Sequence, residues 1–372
     1  MTALKFLSEF RNPALARKLS RRIAVESAGR PVTLMEVCGT HTVSIFRSGL
    51  KSLLPPNVRL LSGPGCPVCV TPQETIDRII AYARKPETII ATFGDMLGVP
   101  GSSSSLRREK ARGADIRLVY SPLEILKLAR AHPRKKVIFL AIGFETTMPA
   151  TAAAAIETRQ SSLNNLFFLS AGKLIPPAME VIMNGGENQI DGFLCPGHVS
   201  VIIGKSPYRK ISRRYGIPCV IAGFEPLDIL LAIRELVRLT KEGKAETKNL
   251  YPRAVRDEGN PKARQAVKEV FLVKDSPWRG LGTIPASGFF FRSTFRDFDI
   301  EKADPVKVPP AREDPRCICG EILRGVKEPE DCPAFGKDCS PSHPLGPCMV
   351  SSEGTCAAWF SYFGRNGAAS ES

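Results

Sequence analysis

The sequence predicts an α/β protein made of two Rossmann-like parallel-sheet domains that face a cleft, plus a small cysteine-rich domain. Two observations carry this prediction. Short, continuously apolar runs alternate about eight times with helical segments, which favours parallel sheets covered on both faces and joined by right-handed crossovers. About eight such units exceed what one open sheet comfortably holds, so two α/β domains are expected. In addition, six of the eleven cysteines lie after residue 316.

The elements are expected in the following order. Residues 1–29 form a basic amphipathic helix, interrupted at Asn12-Pro13, which packs on another domain through Leu4, Phe6, Leu7, Phe10, Leu15, Leu19 and Ile23. Strands are predicted where apolar runs end in turns, at Val32–Val37, Val58–Leu61, Glu87–Phe93, Ile116–Tyr120, Val137–Ile142, Leu166–Ser170, Gly192–Leu194 and Pro218–Ala222. A helix at Lys262–Val273, a strand at Thr283–Phe291 and a linker at Pro305–Pro315 follow.

These elements are grouped into three domains. Residues 30–105 with 205–300 are expected to form the first α/β domain, which carries Cys38, Cys66 and Cys69. Residues 106–204 are expected to form the second. Residues 1–29 with 301–372 are expected to form the cysteine-rich domain.

Cys66 and Cys69 lie in a Gly-Pro-Gly-Cys-Pro-Val-Cys-Val-Thr stretch between a predicted strand and a predicted helix. Thr71 as N-cap, Pro72 at the first helical position and Glu74 three residues after the cap predict a capping box. Helix dipoles near these cysteines are expected to lower the thiol pKa. The pattern leaves three alternatives open: a dithiol switch, half of a metal site, or an inert buried pair.

Most of the unusual polar residues follow predicted strands. Ligands of open α/β sheets bind beyond the carboxyl ends of the strands, and these ends carry Cys38, Thr40, His41, Cys66, Cys69, Asp95, Glu145, Thr146, Cys195, His198 and Glu225. Two facing domains are therefore expected to bring several of these residues into one cleft. His41 and His198 are equally compatible with a structural role, and Cys195 and Cys219 are expected in the core.

The end of the chain is predicted to wrap around a metal cofactor. Prolines and glycines there argue against regular structure between Cys317, Cys319, Cys332, Cys339, Cys348 and Cys356. Thiolates at this spacing, with Cys-Pro and Cys-Gly junctions, favour a four-thiolate iron–sulfur cluster. Tetrahedral zinc is the alternative, although its paired Cys-x-x-Cys knuckles are absent.

Composition restricts compartment and partners. No run of 18 apolar residues and no signal-peptide core occur, so a cytoplasmic protein without membrane contact is expected. In that compartment eleven cysteines do not indicate a disulfide framework.

Lysine and arginine number 52 against 37 acidic residues, giving a net charge of +15. The basic residues are scattered and not interleaved with aromatics, which favours a solvated surface first, an acidic protein partner next and nucleic acid least.

Five motifs carry a resemblance that spans almost the whole chain. They are Glu36-Val37-Cys38-Gly39-Thr40-His41-Thr42, the stretch Gly63 to Thr71, Ala91-Thr92-Phe93-Gly94-Asp95-Met96, Gly143-Phe144-Glu145-Thr146-Thr147, and the Cys319 to Cys356 tail. Together they resemble the HypD family of hydrogenase maturation factors.

The resemblance implies a scaffold with redox activity that assembles the Fe(CN)2CO moiety of [NiFe]-hydrogenases. Two partners are implied: HypC, which helps to hold the iron, and HypE, which delivers cyanide as a thiocyanate. This chain would be a monomer on its own. Cys38 would bind iron, and Cys66 and Cys69 would act as a redox pair or further ligand; His41, Thr40, Asp95 and Glu145 would position partner groups or protons.

The tail would hold a [4Fe-4S] cluster on four of Cys319, Cys332, Cys339, Cys348 and Cys356, with Cys317 outside the pattern. Soft thiolates suit a ferrous ion that carries cyanide and carbon monoxide.

Two other functions remain open at this point. One is an iron–sulfur-dependent thiol-disulfide oxidoreductase, and the other is an iron–sulfur protein that binds nucleic acid in a salt-dependent way.

Overall fold

The computed structural model describes residues 9–187 and 189–362. Eleven strands are present in this part of the chain: β1 (Val32–Glu36), β2 (Val58–Ser62), β3 (Thr88–Thr92), β4 (Asp115–Leu118), β5 (Lys136–Gly143), β6 (Leu166–Gly172), β7 (Gly192–Pro196), β8 (Cys219–Ala222), β9 (Thr247–Asn249), β10 (Phe271–Trp278) and β11 (Gly282–Phe291). They form two parallel sheets and one antiparallel hairpin. The predicted α/β class with parallel sheets is confirmed.

Helices connect and cover the strands. They are α1 (Pro13–Ser27), α2 (Gly39–Arg47), α3 (Leu50–Leu53), α4 (Gln73–Ala83), α5 (Leu106–Ala111), α6 (Glu124–Ala131), α7 (Met148–Gln160), α8 (Ile175–Gly185), α9 (Gly197–Ile203), α10 (Ser206–Tyr215), α11 (Pro226–Lys241), α12 (Pro261–Val270), α13 (Ile300–Ala303), α14 (Cys319–Leu323), α15 (Pro347–Val350) and α16 (Thr355–Tyr362). Short 3-10 helices occur at Glu9–Arg11, Gly94–Met96, Ser293–Phe298 and Pro329–Asp331. Within the described residues, no helix is both long and apolar enough to cross a membrane.

The strand order of the sheets differs from the order along the chain. The first sheet is β2-β1-β7-β8-β9 and the second is β4-β3-β5-β6. The sequence grouped β3 with residues 30–105 and β7 with residues 106–204, whereas each of these strands pairs in the other sheet. The chain therefore crosses between the sheets twice, and β7 lies directly beside β1. This pairing places Cys38, which follows β1, close to α9, which follows β7.

The hairpin of β10 and β11 was only half predicted. The expected helix Lys262–Val273 ends at Val270, and β10 begins at Phe271. Along β10 only Phe271, Ser276 and Trp278 are buried, so the strand lacks the continuous apolar run that identified the others. The hairpin packs on the second sheet, where Ser170 Oγ donates to the Phe289 carbonyl at 2.7 Å and Leu174 N donates to the Ser287 carbonyl at 2.9 Å.

The N-terminal helix begins one residue after Asn12, as the predicted interruption requires. The Asn12 side chain accepts hydrogen bonds from Ala14 N and Leu15 N, and Pro13 occupies the first helical position. α1 packs on α11 of the first sheet domain, with Ile23 fully buried. Leu15 is 46% exposed, so it does not belong to the buried face as predicted. The predicted positions Leu4, Phe6 and Leu7 lie outside the described residues.

The end of the chain, residues 314–362, is called the tail below. It contains short helices and turns and packs against the first sheet domain, where α16 lies on α2 and Trp359 contacts Phe46 with ring centroids 5.2 Å apart. One continuous buried cluster includes Met35 of the first sheet, Ile138 of the second and Cys348 of the tail. The tail is therefore part of the main core, next to the ends of the strands.

Candidate thiol site and cysteine cavity

Cys38 lies where β1 ends and α2 begins, and the backbone around it is tightly packed. Its amide donates to Glu36 Oε2 at 2.8 Å, and Gly39 N donates to the Gly65 carbonyl at 2.9 Å. A Cβ atom on Gly65 would lie 2.1 Å from Cys38 N, which no real side chain tolerates. The Gly-Pro-Gly turn therefore brings the Cys66 loop into backbone contact with Cys38.

A histidine of α9, the helix that follows the neighbouring strand β7, contacts the Cys38 thiol. Cys38 Sγ and His198 Nε2 are 3.6 Å apart, and the His198 ring stacks on Phe224 with centroids 5.0 Å apart. Burial raises the pKa of Cys38 far above its ordinary value and lowers the pKa of His198 to about 4. Both groups are therefore neutral at pH 7, so they form a thiol–imidazole pair rather than a thiolate–imidazolium pair.

The predicted capping box before α4 is wrong. The N-cap is Pro72, which has no side-chain hydrogen bond, and α4 starts at Gln73. The Thr71 hydroxyl instead donates to the Pro67 carbonyl at 2.8 Å, while Glu74 pairs with Arg78. Thr71 thus closes the turn that holds Cys66 and Cys69, because its hydroxyl bonds to a carbonyl of this turn and caps no amide of α4.

The expected lowering of the thiol pKa is also wrong for Cys69. The Cys69 amide donates to Cys66 Sγ at 3.2 Å, and the two side chains are 0% and 3% exposed. Burial raises the pKa of Cys69 well above its ordinary value, and its contacts with Cys348 and Cys66 raise it further. Loss of solvation therefore outweighs the dipole of α4, whose first residue lies four positions beyond Cys69.

Two of the predicted site residues hold the tail in place over the three thiols. Thr40 Oγ1 donates to Glu353 Oε1 at 2.6 Å. Asp95 Oδ2 accepts three hydrogen bonds at 2.9–3.1 Å from Ser351 Oγ, Ser352 N and Ser352 Oγ. The Cys66 thiol donates to the same Ser351 Oγ at 3.3 Å. A polar connection therefore runs from Cys66 through Ser351 to Asp95.

His41 and Glu145 have other surroundings. His41 Nε2 lies 2.9 Å from the Gly223 carbonyl, and burial lowers the pKa of this ring to about 4. Glu145 accepts from Ile175 N at 3.1 Å at the end of the second sheet, and burial raises its pKa to about 8. His41 Nδ1 and Glu145 Oε2 have no hydrogen-bond partner in the described part of the chain. None of the contacts described for Glu145 brings it to the three thiols.

Two acidic residues near Cys38 were missed as site residues. Glu36 is buried beneath Cys38, accepts from Cys38 N and Thr42 Oγ1, and has its pKa raised to about 7 by burial. Glu353 lies against Gly39, where an added Cβ would be 2.5 Å from Glu353 Cβ. Glu36 stands in a motif that the sequence singled out, whereas Glu353 reaches Cys38 only through the folding of the tail.

All six tail cysteines line one cavity, called the cysteine cavity below. Its lining includes Cys317, Cys319, Cys332, Cys339, Cys348 and Cys356, together with Ile322, Ala334, Phe335, Leu345, Gly346 and Met349. A Cβ on Gly346 would lie 2.6 Å from Cys317 Sγ, so the absence of a side chain at Gly346 leaves room for this sulfur atom. Cys317, which the resemblance left outside the pattern, faces the same cavity. Across residues 9–187 and 189–362, no three His, Cys, Asp or Glu side chains are grouped as a ready site for a metal ion.

The thiol site and the cysteine cavity touch through Cys348. The Cys348 thiol lies close enough to the thiols of Cys69, Cys319 and Cys356 to interact with all three. Cys319 in turn contacts Cys317. Interacting thiols therefore lead from Cys66 through Cys69 and Cys348 to the cavity. Cys195 and Cys219 are fully buried in strands of the first sheet, as predicted.

Comparison with known proteins gives a consistent result. A family model named HypD, described as the hydrogenase formation hypA family, matches residues 14–363. The chain is 48% identical over 376 residues to the hydrogenase expression/formation protein HupD of Azotobacter chroococcum, covering 99% of each chain. It is 48% identical over 367 residues to the hydrogenase maturation factor HypD of Azotobacter vinelandii, covering 96% of this chain and 97% of that protein. With HypD of Escherichia coli the identity is 43% over 366 residues, covering 96% and 98%.

Proposed function

This chain belongs to the HypD family of hydrogenase maturation factors, and we propose that it assembles the Fe(CN)2CO moiety together with HypC and HypE. One observation carries the proposal: Cys38, the Cys66/Cys69 pair and the cysteine cavity are continuous through backbone packing and sulfur contacts. Such an arrangement joins a metal-binding thiol to a source of electrons.

Cys38 is the proposed ligand for the iron that serves as substrate. Thiolate is a soft donor that suits a ferrous ion carrying cyanide and carbon monoxide. Because burial keeps Cys38 protonated, iron binding must displace the proton, and His198 Nε2 at 3.6 Å is placed to accept a hydrogen bond from the thiol. HypC is proposed to complete the coordination.

Cys66 and Cys69 are the proposed reductants of the thiocyanate that HypE carries. Cleavage of its S–CN bond takes two electrons: two cysteine thiols form a disulfide, the HypE sulfur leaves as a thiol, and cyanide passes to the iron with release of one proton. The Cys69 amide donates to Cys66 Sγ, and the Cys66 side chain interacts with the Cys69 thiol, so the two residues are close neighbours within one turn. Ser351 and Asp95 extend from Cys66 as a path for the proton.

The cysteine cavity fits a [4Fe-4S] cluster by its donor set, because cubane clusters are held by four cysteine thiolates and the cavity offers six. Such a cluster, when bound, supplies electrons that return the disulfide to the dithiol. Cys319, Cys332, Cys339, Cys348 and Cys356 are the proposed ligand set, from which four are used. Cys348 contacts Cys69, so it is the residue through which the two sites meet.

Compartment and partners follow from the chemistry. All eleven cysteines are free in the structure, which suits the reducing cytoplasm. The net charge of +15 favours acidic surfaces on partner proteins. We assign no nucleic-acid or membrane partner, and we propose that the chain is monomeric until HypC binds.

A general thiol-disulfide oxidoreductase is the second candidate, favoured by the contact between Cys66 and Cys69. The burial of both side chains, 3% and 0% exposed, argues against it, because a large protein disulfide needs an exposed attacking thiol. A thiocyanate on a flexible protein end is a much smaller substrate. The geometry therefore favours the assembly scaffold.

Infrared spectroscopy tests this function. The chain is co-expressed with HypC, purified without oxygen, and examined for CN and CO stretches, which fall in a region where protein does not absorb. We expect these bands in the wild type, their loss in Cys38→Ser, and their retention in Cys219→Ser, a matched change of a buried core cysteine. Bands of full intensity in Cys38→Ser would overturn the ligand assignment.

A further inference from the structure

The turn between β10 and β11 places an arginine beside the cysteine cavity. The Arg279 amide donates to the Val70 carbonyl at 2.9 Å, one residue after Cys69. The next residue, Gly280, has a φ of +75°, and a Cβ on it would lie 2.3 Å from the Gly320 Cα. The turn is therefore fixed between the Cys66/Cys69 loop and the residue that follows Cys319.

The guanidinium of Arg279 is buried, and its positive charge is only partly compensated by nearby acidic groups. The residue is 5% exposed, and its Nη2 donates to Gln73 Oε1. Its Nε lies 3.2 Å from Glu313 Oε1, an ion pair without hydrogen-bond geometry, and the Glu313 side chain is 54% exposed. Water screens the carboxylate more than the buried cation, so much of the positive charge acts on the interior.

That charge acts on the cysteines. Arg279 lines a pocket together with Cys317, Cys319 and Gly346, and its guanidinium interacts electrostatically with both thiols. Gly346 in turn contacts Cys317 Sγ, so this pocket and the cysteine cavity share one wall. Among the charged side chains lining the pocket, Arg279 is the most deeply buried.

We propose that Arg279 raises the reduction potential of the cluster held in the cysteine cavity, an inference that rests on the proposed function. Reduction adds one electron, and the extra negative charge is stabilised by a nearby cation in a poorly screened interior. Net charge and hydrogen bonds near the sulfurs are established determinants of iron–sulfur potentials. Arg279 is thus a tuning residue that makes the cluster easier to reduce.

The test is an EPR-monitored potentiometric titration of the full-length protein, purified without oxygen. Arg279→Gln is expected to shift the midpoint potential to a more negative value, and Arg279→Lys is expected to stay close to the wild type. Arg130→Gln, which removes the same charge from an exposed pair with Glu157, serves as the control and is expected to leave the potential unchanged. Iron and acid-labile sulfide contents are measured in parallel.

Glu313→Gln provides a second, surface-exposed variant should Arg279→Gln fail to retain its cluster. Removing this partner leaves Arg279 less compensated, so the potential is expected to move to a more positive value. An unchanged potential in a cluster-containing Arg279→Gln, or in Glu313→Gln, refutes the tuning role. Absence of iron, sulfide and the EPR signal from the wild type itself would instead refute the proposed cluster, which separates the two failures.

Discussion

Glu145 makes the stability of this protein fall as the pH rises through the neutral range. Its carboxyl group is fully buried, only one of its oxygens has a hydrogen-bond partner among the described residues, and burial raises its pKa from an ordinary 4.5 to about 8. Between these values the unfolded chain is ionised while the folded protein keeps the proton. The contribution of the protonated form to folding is complete below about pH 4.5 and is lost as the pH rises to about 8.

The size of the effect follows from the pKa difference. Each pKa unit corresponds to about 1.4 kcal/mol, so up to about 5 kcal/mol of the free energy of unfolding disappears across this range. Glu145→Gln removes the titration while its amide oxygen still accepts from Ile175 N. We expect the variant to match the wild type near pH 5 and to be several kcal/mol more stable near pH 8, a difference of about the size derived above.

Urea unfolding under reducing conditions at a series of pH values measures this difference. The quantity of interest is the stability of Glu145→Gln minus that of the wild type, since other titrating groups cancel in it. Glu157→Gln is the control, because Ser161 and then Arg130 hold the pKa of Glu157 below its ordinary value, which gives the opposite sign. A difference for Glu145→Gln that does not change between the acidic and the alkaline end would refute the argument.

Two further changes test the packing of the thiol site. Gly65→Ala puts a Cβ 2.1 Å from Cys38 N, so we expect urea unfolding to show a loss of about 1–3 kcal/mol in stability, together with loss of bound iron. Gly185→Ala, whose Cβ meets nothing within 4 Å, is the control and is expected to show neither loss. A Gly65→Ala protein of wild-type stability would contradict the contact. Asp95→Asn weakens the three hydrogen bonds that anchor Ser351 and Ser352, so amide hydrogen exchange in the tail is expected to become faster; unchanged exchange there would show that other contacts hold the tail.

The local elements of this fold were readable from the sequence, but their arrangement was not. Each predicted strand of the parallel sheets coincides with an observed one, because buried parallel strands consist of uninterrupted apolar runs. The local sequence of Thr88–Thr92 and of Gly192–Pro196 does not indicate which sheet each strand joins. The first was wrongly grouped with the first sheet and the second with the second sheet. β10 escaped prediction because its exposed face breaks the apolar run.

The site shows the same division between local and long-range information. Cys38, Cys66 and Cys69 were identified from their own neighbours in sequence, and Thr71 was misread because a cap and a loop-closing hydroxyl have the same local signature. Glu353 reaches Thr40 across 313 residues, so no local pattern indicates the pairing. The pKa of the Cys69 thiol was predicted in the wrong direction because burial raises it and Cys348 of the tail raises it further, and neither effect is visible in the loop sequence.

Burial of the three thiols also fixes how the proposed reaction handles protons. With their pKa values raised, Cys38 and Cys69 are protonated in the resting protein. Oxidation of two thiols to a disulfide releases two protons: one is taken by the HypE sulfur, and the other is set free as cyanide passes to the iron. The hydrogen bond from Cys66 to Ser351, and from Ser351 to Asp95, gives the second proton a defined exit at the edge of the tail. A protonated Cys69 is a poor nucleophile, so the pair resists oxidation until a substrate supplies an acceptor for electrons and protons together.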